Sequence, residues 1–256
     1  MKFNFVIQVS IENNFASWRN AARKCLQKNF TPENILWICG GENSLFQNNF
    51  GESKAEKIFK VSADFFPLAE AVVCFDDEQR WSLLYRLLFR IVHENKNLLY
   101  IESDDDVRRA RLMERAICRD VHKFHAFVRF RQIELEGVEL YVAWHEPNHF
   151  TVERSAPFFS RRFGAMRFSI LTPKGCAHWN LEELRFSEAI SKQILPPDEI
   201  EDFWLVYYKS IFNPFRLKTN AMKKEMPVRH WRTLPETILI PKLIRQGKEA
   251  ESKKRF

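Results

Sequence analysis

Two histidines three residues apart, His122 and His125, lie in the stretch VHKFHAFVRFRQ, where aromatic or aliphatic residues then alternate with arginine. Imidazole titrates near neutrality, so it can carry a proton or, when neutral, ligate a metal. Glu114 lies on the same predicted helix, and a carboxylate and imidazoles from successive turns can converge on one ion. No HExxH and no repeated ExxH accompanies them, and a histidine on a helix border more often bonds a neighbour, so no metal is expected. The second chemistry is acid–base catalysis, with His122 or His125 as the proton carrier and Glu114, His145 or Glu146 assisting. In that reading, RRF beside HEP holds a phosphate near an imidazole. It requires His122, His145 and a carboxylate to converge in one pocket.

The arginines suggest a different chemistry. At about 100° per residue, Arg108, Arg111, Arg115 and Arg119 form a row opposite Ala110, Met113, Ile117, Val121, Phe124 and Val128. Such a row is either a solvated face paired with acids or a set of cations reaching one phosphate backbone. Phe127, Arg129 and Arg131 share one face of a predicted strand. If that face is open, the aromatic ring stacks a base while the guanidiniums hold phosphates; if closed, Phe127 is core and the arginines are ion-paired. Arg161 and Arg162 add a further basic pair. Residues 207 to 231 place Lys223, Lys224 and Arg229 among Trp231 and other aromatic residues. That segment reads either as a backbone-binding helix followed by an aromatic-basic loop, or as a packed helix with lysines on its wet face.

The elements that must hold these side chains are legible in part. FNFVIQV alternates like a strand. A helix is expected from Asn14 to Lys28, with Phe15, Trp18, Ala22, Cys25 and Leu26 on one stripe. Thr31-Pro32-Glu33 reads as a turn before the apolar run ILWI, and Lys57–Val61 as a strand. From Asp76, Trp81, Leu84, Leu88 and Ile91 repeat at helical spacing, and the acidic start suits the helix dipole. Asp104-Asp105-Asp106 opens the next helix, which runs to about His125. FVRFRQIEL and VELYVAW, separated by Glu136-Gly137, form a hairpin; RFSILTP and the segment around His178-Trp179 form a second strand pair. Helices are expected over 199–211 and 215–225, with a last one from near Pro235. The predicted class is α+β, with helices flanking a mostly antiparallel sheet with hairpins. One domain is expected over residues 1–246, with a possible sub-boundary near 100 and a frayed basic tail over 247–256.

Composition narrows the function classes. The 256 residues are 45% hydrophobic and 29% charged, ordinary for a folded protein. There are 24 Phe but only 7 Gly, and neither GxGxxG nor GxxxxGK[ST] occurs, which argues against a nucleotide-dependent enzyme. The five cysteines are scattered without a CxxC, excluding a zinc ribbon or a cysteine-ligated iron–sulfur cluster. No cofactor is expected. With no secretory signal and no apolar run long enough to span a bilayer, a cytoplasmic location with reduced thiols and no membrane association is expected. The net charge is +7, yet residues 203–256 carry 13 Lys and Arg against 4 Asp and Glu. Such asymmetry suits a polyanionic partner, nucleic acid first.

Several long motifs occur in fixed order: FASWRNAARKCLQKNFTPENILW, AICRDVHKFHAFVRFRQ, YVAWHEPNHF, SAPFFSRRFGAMRFSILTPKGCAHW and YYKSIFNPFRLKTNAMKKEMPVRHWRTLPET. Over residues 9 to 245 the chain resembles an uncharacterised domain family associated with DNA metabolism. Members occur alone, beside a radical-SAM protein assigned to DNA repair, or fused ahead of UdgX-type uracil-DNA glycosylases. Positions matching the family motifs include Trp18, Arg23, His122, Phe127, Arg129, His145, Phe158, Arg161, Arg162, Pro227 and Trp231. Fused members commonly read MRWSILTP and WDG where this chain has Phe168 and Trp179-Asn180-Leu181. The chain lacks the glycine-rich uracil-pocket motifs and clustered cysteines of such a glycosylase. The resemblance implies a DNA-binding accessory protein of DNA repair, partnered by a uracil-DNA glycosylase-like or radical-SAM enzyme. In it, Arg115, Arg119, Arg129, Arg131, Arg161 and Arg162 contact phosphates, and Lys223, Lys224, Arg229 and Trp231 extend the surface. The alternatives are a nucleic-acid-processing enzyme using histidine acid–base chemistry and a protein-docking adaptor without DNA affinity.

Overall fold

Helix α1, Phe15–Gln27, begins where Asn14 leaves helical geometry and its side-chain oxygen accepts from the Ser17 N–H at 2.8 Å. It ends where Asn29 takes a left-handed φ of 54°. The Asn29 and Phe30 N–H groups then return to the Leu26 and Cys25 carbonyls, each at 3.0 Å. Such a stop turns the chain through a short 3-10 turn, Pro32–Asn34, into strand β2, Ile35–Cys39. β2 pairs in parallel with β1, Ile7–Ile11, with Val9 opposite Trp37. In the computed structural model the described residues are 6–39, 58–135, 138–191, 226–234, 237, 241 and 245. The chain divides into two units, residues 1–120 and 121–256.

In the first unit, α2 (Phe65–Val73) and α3 (Arg80–His93) pack with α1 and β2 around Trp18, Phe65, Trp81 and Tyr85, all nearly or fully buried. The Tyr85 hydroxyl donates to the Phe30 carbonyl at 2.7 Å, and burial raises its pKa. Arg80 is buried beside Trp81, its guanidinium 4.4 Å from the indole centroid, and it donates to the Asp77 carbonyl and the Asn13 side chain. The long helix α4, Asp105–Phe127, contains the division between the units. Its start is held by Asp104, whose carboxylate accepts from the Asp106 and Val107 N–H groups at 3.1 Å and from Arg90 Nη2 at 2.5 Å.

The second unit is a five-stranded sheet in sequence order, β3 (Arg131–Leu135), β4 (Val138–Trp144), β5 (Phe168–Leu171), β6 (Cys176–Trp179) and β7 (Leu184–Ser187). All pairs are antiparallel except β4–β5, whose crossover carries α5, Val152–Arg162. Phe159 and Ala156 of α5 pack with Phe124, Phe168, Ile170 and Ala177 in its core. Gly175 turns the chain between β5 and β6 at a φ of 104°. The class is therefore α+β.

Some expectations need correction. Residues 58–61 form no strand. Phe127 ends α4 and residues 128–130 precede β3, so Phe127, Arg129 and Arg131 do not share a strand face. Helices α2 and α5 and strand β7 were not anticipated. The hairpin turn at 136–137 and the helices expected over 199–211, 215–225 and from Pro235 lie outside the described residues, as does the 247–256 tail.

Candidate functional site

Helix α5 explains its own orientation. Val152, Ala156 and Phe159 recur at helical spacing and are buried, with Ser155 between them. The opposite arc therefore carries Arg154, Phe158, Arg161 and Arg162, spaced i, i+4, i+7 and i+8. Phe158 is 37% exposed, and the three arginines are exposed. Among the described residues, none of these arginines makes an ion pair or a hydrogen bond, and no carboxylate shares the arc. Two of them, Arg161 and Arg162, also sit in the last turn, where cations offset the helix dipole.

His125, near the end of α4, completes this face. Its ring stacks on Phe158 at 4.2 Å and 21°, and its Nε2–H donates to the Ser155 carbonyl at 3.2 Å. A carbonyl only accepts, so the proton sits on Nε2 and leaves Nδ1 as the acceptor in the neutral ring. Burial lowers the His125 pKa, and His122 and Arg161 push in the same direction against the Ser155 hydrogen bond. At neutral pH the result is an uncharged imidazole lying on a phenyl ring whose helix face also carries three guanidiniums without ion pairs among the described residues. Such a surface offers a flat stacking partner and phosphate-binding cations within one helix turn of each other.

The chain also matches a family model. The model is described as a domain of unknown function, DUF4130, and it covers residues 78–236, more than half of the sequence. The chain belongs to the DUF4130 family. No curated protein and no solved structure matches it. The matched DUF4130 region contains α3, α4, α5 and the whole five-stranded sheet, so the α5 face lies inside the family domain.

The other expected site residues are dispersed through the DUF4130 fold. His145 is 1% exposed, its ring 4.4 Å from Phe124 and parallel to His230 at 5.5 Å and 4°. His230 is itself stacked on Phe127 at 5.2 Å. His122 is exposed, two residues from the buried Phe124 on α4 and therefore about 200° around that helix from it. His122 and His145 do not converge, because one faces away from the ring that covers the other. Glu114 accepts from Arg111 at 3.0 Å, and Glu146 accepts from the Trp144 indole at 2.9 Å. No group of three metal-ligating side chains occurs among the described residues, Glu114, His122 and His125 included.

Of the arginine row, Arg108 pairs with Asp105 and Arg111 with Glu114, whereas Arg115 and Arg119 are exposed and make no ion pair among the described residues. Arg129 donates to the Ala126 and Val128 carbonyls at 2.7 and 3.2 Å, which satisfies the end of α4. Arg131 lies in β3 opposite Val142. The Trp231 indole N–H donates to the Met226 carbonyl at 3.0 Å in a 3-10 turn, Val228–Thr233. Lys223, Lys224 and the Arg229 side chain lie outside the described residues. Arg154 and Phe158 were not anticipated as ligand contacts. Their signal is present in RSAPFFSRRF read at helical spacing from Arg154.

Proposed function

We propose that this DUF4130 protein binds nucleic acid through the outer face of α5, as an accessory protein of DNA metabolism rather than as the enzyme that alters the DNA. The observation that carries the reading is the exposed Phe158, backed by the uncharged His125 ring and bracketed by Arg154, Arg161 and Arg162, with no carboxylate on that arc among the described residues. An aromatic ring presented to solvent stacks any base, and unpaired guanidiniums contact the phosphates beside it, so single-stranded segments suit this face best. The net charge of +7 adds long-range attraction. A DNA-repair setting and a uracil-DNA glycosylase-like or radical-SAM partner rest on the family resemblance alone. The acid–base alternative has less support, since its histidines are separated and His145 is sealed in aromatic packing.

Mobility shift of single-stranded, duplex and uracil-containing DNA, with and without magnesium, tests the proposal. Salt-sensitive retardation of single-stranded DNA without cleavage is the expected result. Absence of binding at about 50 mM salt, where phosphate contacts are strongest, sinks the reading.

A further inference from the structure

We propose that the first unit holds a binding cavity for an aromatic ring bearing a phosphate, the chemistry of a nucleotide, at a place separate from the α5 face. A half-enclosed cavity of about 540 Å³ lies among α1, α2 and residues Ile58–Val61. Its apolar wall includes five aromatic side chains, Phe15, Trp18, Phe59, Phe65 and Phe66. Trp18 and Phe65 are buried, whereas Phe66 is 40% exposed. Flat walls of this kind gain most from a flat ligand, because offset or edge-to-face ring contacts add to simple area burial. Trp18 contributes a second feature: its indole N–H is buried and has no hydrogen-bond partner among the described residues, an unused donor in the wall.

The polar part of the lining has one sign. Arg19, Arg23 and Lys60 are exposed at the cavity, and among the described residues no Asp or Glu lines it. Among the described residues none of the three makes an ion pair. Arg19 and Arg23 are four residues apart on α1, an arrangement in which like charges repel. An anion relieves that repulsion, and a phosphate dianion matches two or three cations better than a carboxylate does. An apolar, aromatic pocket with a purely cationic mouth thus selects a ligand that is a flat ring at one end and a phosphate at the other. The volume falls within the 300–1,000 Å³ common to small-ligand sites, about right for one nucleotide and far too small for duplex. The ligand is either a free nucleotide or the 5′-phosphorylated end of a strand. Apart from Leu88, every residue that lines the cavity precedes the family-matched region, and none belongs to α5, so the cavity stands or falls independently of the α5 face.

Calorimetric titration of the full chain provides the test, with AMP, UMP, phenyl phosphate, inorganic phosphate, adenosine, palmitate and oligo-dT with or without a 5′-phosphate. AMP, UMP and phenyl phosphate are expected to saturate, with adenosine and inorganic phosphate weaker by about tenfold or more, since each lacks one half of the recognised chemistry. The double variant R19Q/R23Q and, separately, Phe66→Ala each weaken binding by about tenfold. Both alter exposed side chains and should leave the melting temperature close to wild type. R161Q/R162Q leaves nucleotide binding unchanged, so failure here is distinguishable from failure of the α5 reading. A preference for 5′-phosphorylated oligo-dT over AMP and UMP assigns the site to a strand end, and the reverse assigns it to a free nucleotide. The proposal is overturned if no phosphate compound saturates by about 1 mM, if binding is indifferent to R19Q/R23Q, or if palmitate is bound in preference.

Discussion

Removing charge and removing the ring from the α5 face should produce two different signatures in one binding assay. Each phosphate contact to a single strand contributes about 0.7 to the slope of log affinity against log salt. Arg154, Arg161 and Arg162 together therefore account for a slope of about −2, and the double variant R161Q/R162Q should make it shallower by about 1.4. Between about 50 and 200 mM salt, the three contacts weaken binding roughly 20-fold, whereas Arg154 alone weakens it roughly threefold. Phe158→Ala removes no charge. It should leave the slope alone and lower affinity at every salt concentration, by about 1–2 kcal/mol or roughly 5- to 30-fold, the lower part of the range for a stacked base. The lower part applies because Phe158 is only 37% exposed, with His125 covering one face. Fluorescence anisotropy of a labelled oligo-dT across that salt range reads both quantities. Both arginines are exposed and make no ion pair among the described residues, so the double variant should fold as the parent does. A slope unchanged in R161Q/R162Q, or a slope that falls in Phe158→Ala, refutes the assignment of roles.

Three further outcomes follow from the packing. Asp104→Ala should lower stability in urea by about 2–3 kcal/mol, combining a lost helix cap of about 1 kcal/mol with a partly buried ion pair to Arg90, while Asp104→Asn regains the cap. Because Arg90 depresses the Asp104 pKa in the folded state, this contribution is full above the unfolded carboxyl value of about 3.9. It is lost as pH falls through the lower folded value, so acid titration of the Asp104→Asn variant should lose less stability than the parent. Thiol labelling of the native protein should modify the exposed Cys118 quickly and spare Cys25, whose thiol burial pushes up to about 12, until the chain unfolds. Leu181→Gly should raise thermal stability slightly, by up to about 1 kcal/mol, because Leu181 holds a φ of 86° that costs an L side chain more than glycine's added freedom. A melting temperature lowered by that change contradicts the strain assigned to the turn.

The sequence made some of this visible and hid the rest for physical reasons. Period and caps were sufficient for α1 and α4: Asn14 precedes a regular stripe, and three aspartates open a helix whose buried side is Ala110, Met113, Ile117 and Phe124. The turn at Trp179-Asn180-Leu181 is interpretable from its side chains. Asn180 accepts from the Glu182 and Glu183 N–H groups, and Leu181 takes a positive φ. Helix α5 is hard to read from sequence because Pro157 sits in its interior and a double Phe follows, and an interior proline ordinarily ends or kinks a helix. Without that helix, Arg154 and Phe158 have no common face. The failed strand face at Phe127 has a simpler cause: alternation across a helix end looks the same as alternation along a strand. The burial of His145 is not legible because one of the two rings that pack on it belongs to His230, far along the chain.

That long-range stack has a consequence for how the molecule comes into being. His230 and Leu234 are 3% and 2% exposed, and His230 lies flat on His145 and on Phe127, residues at the last strand turn before α5 and at the end of α4. Bringing ring to ring closes a very long loop, and the entropy of that closure is spent only once the intervening chain exists. During synthesis the sheet can therefore assemble early but lacks the His230 ring over His145 until residues 226–234 have been made. The 226–234 stretch is then a late clasp. A stop codon that removed it would leave His145 and Phe127 without the ring that stacks on both.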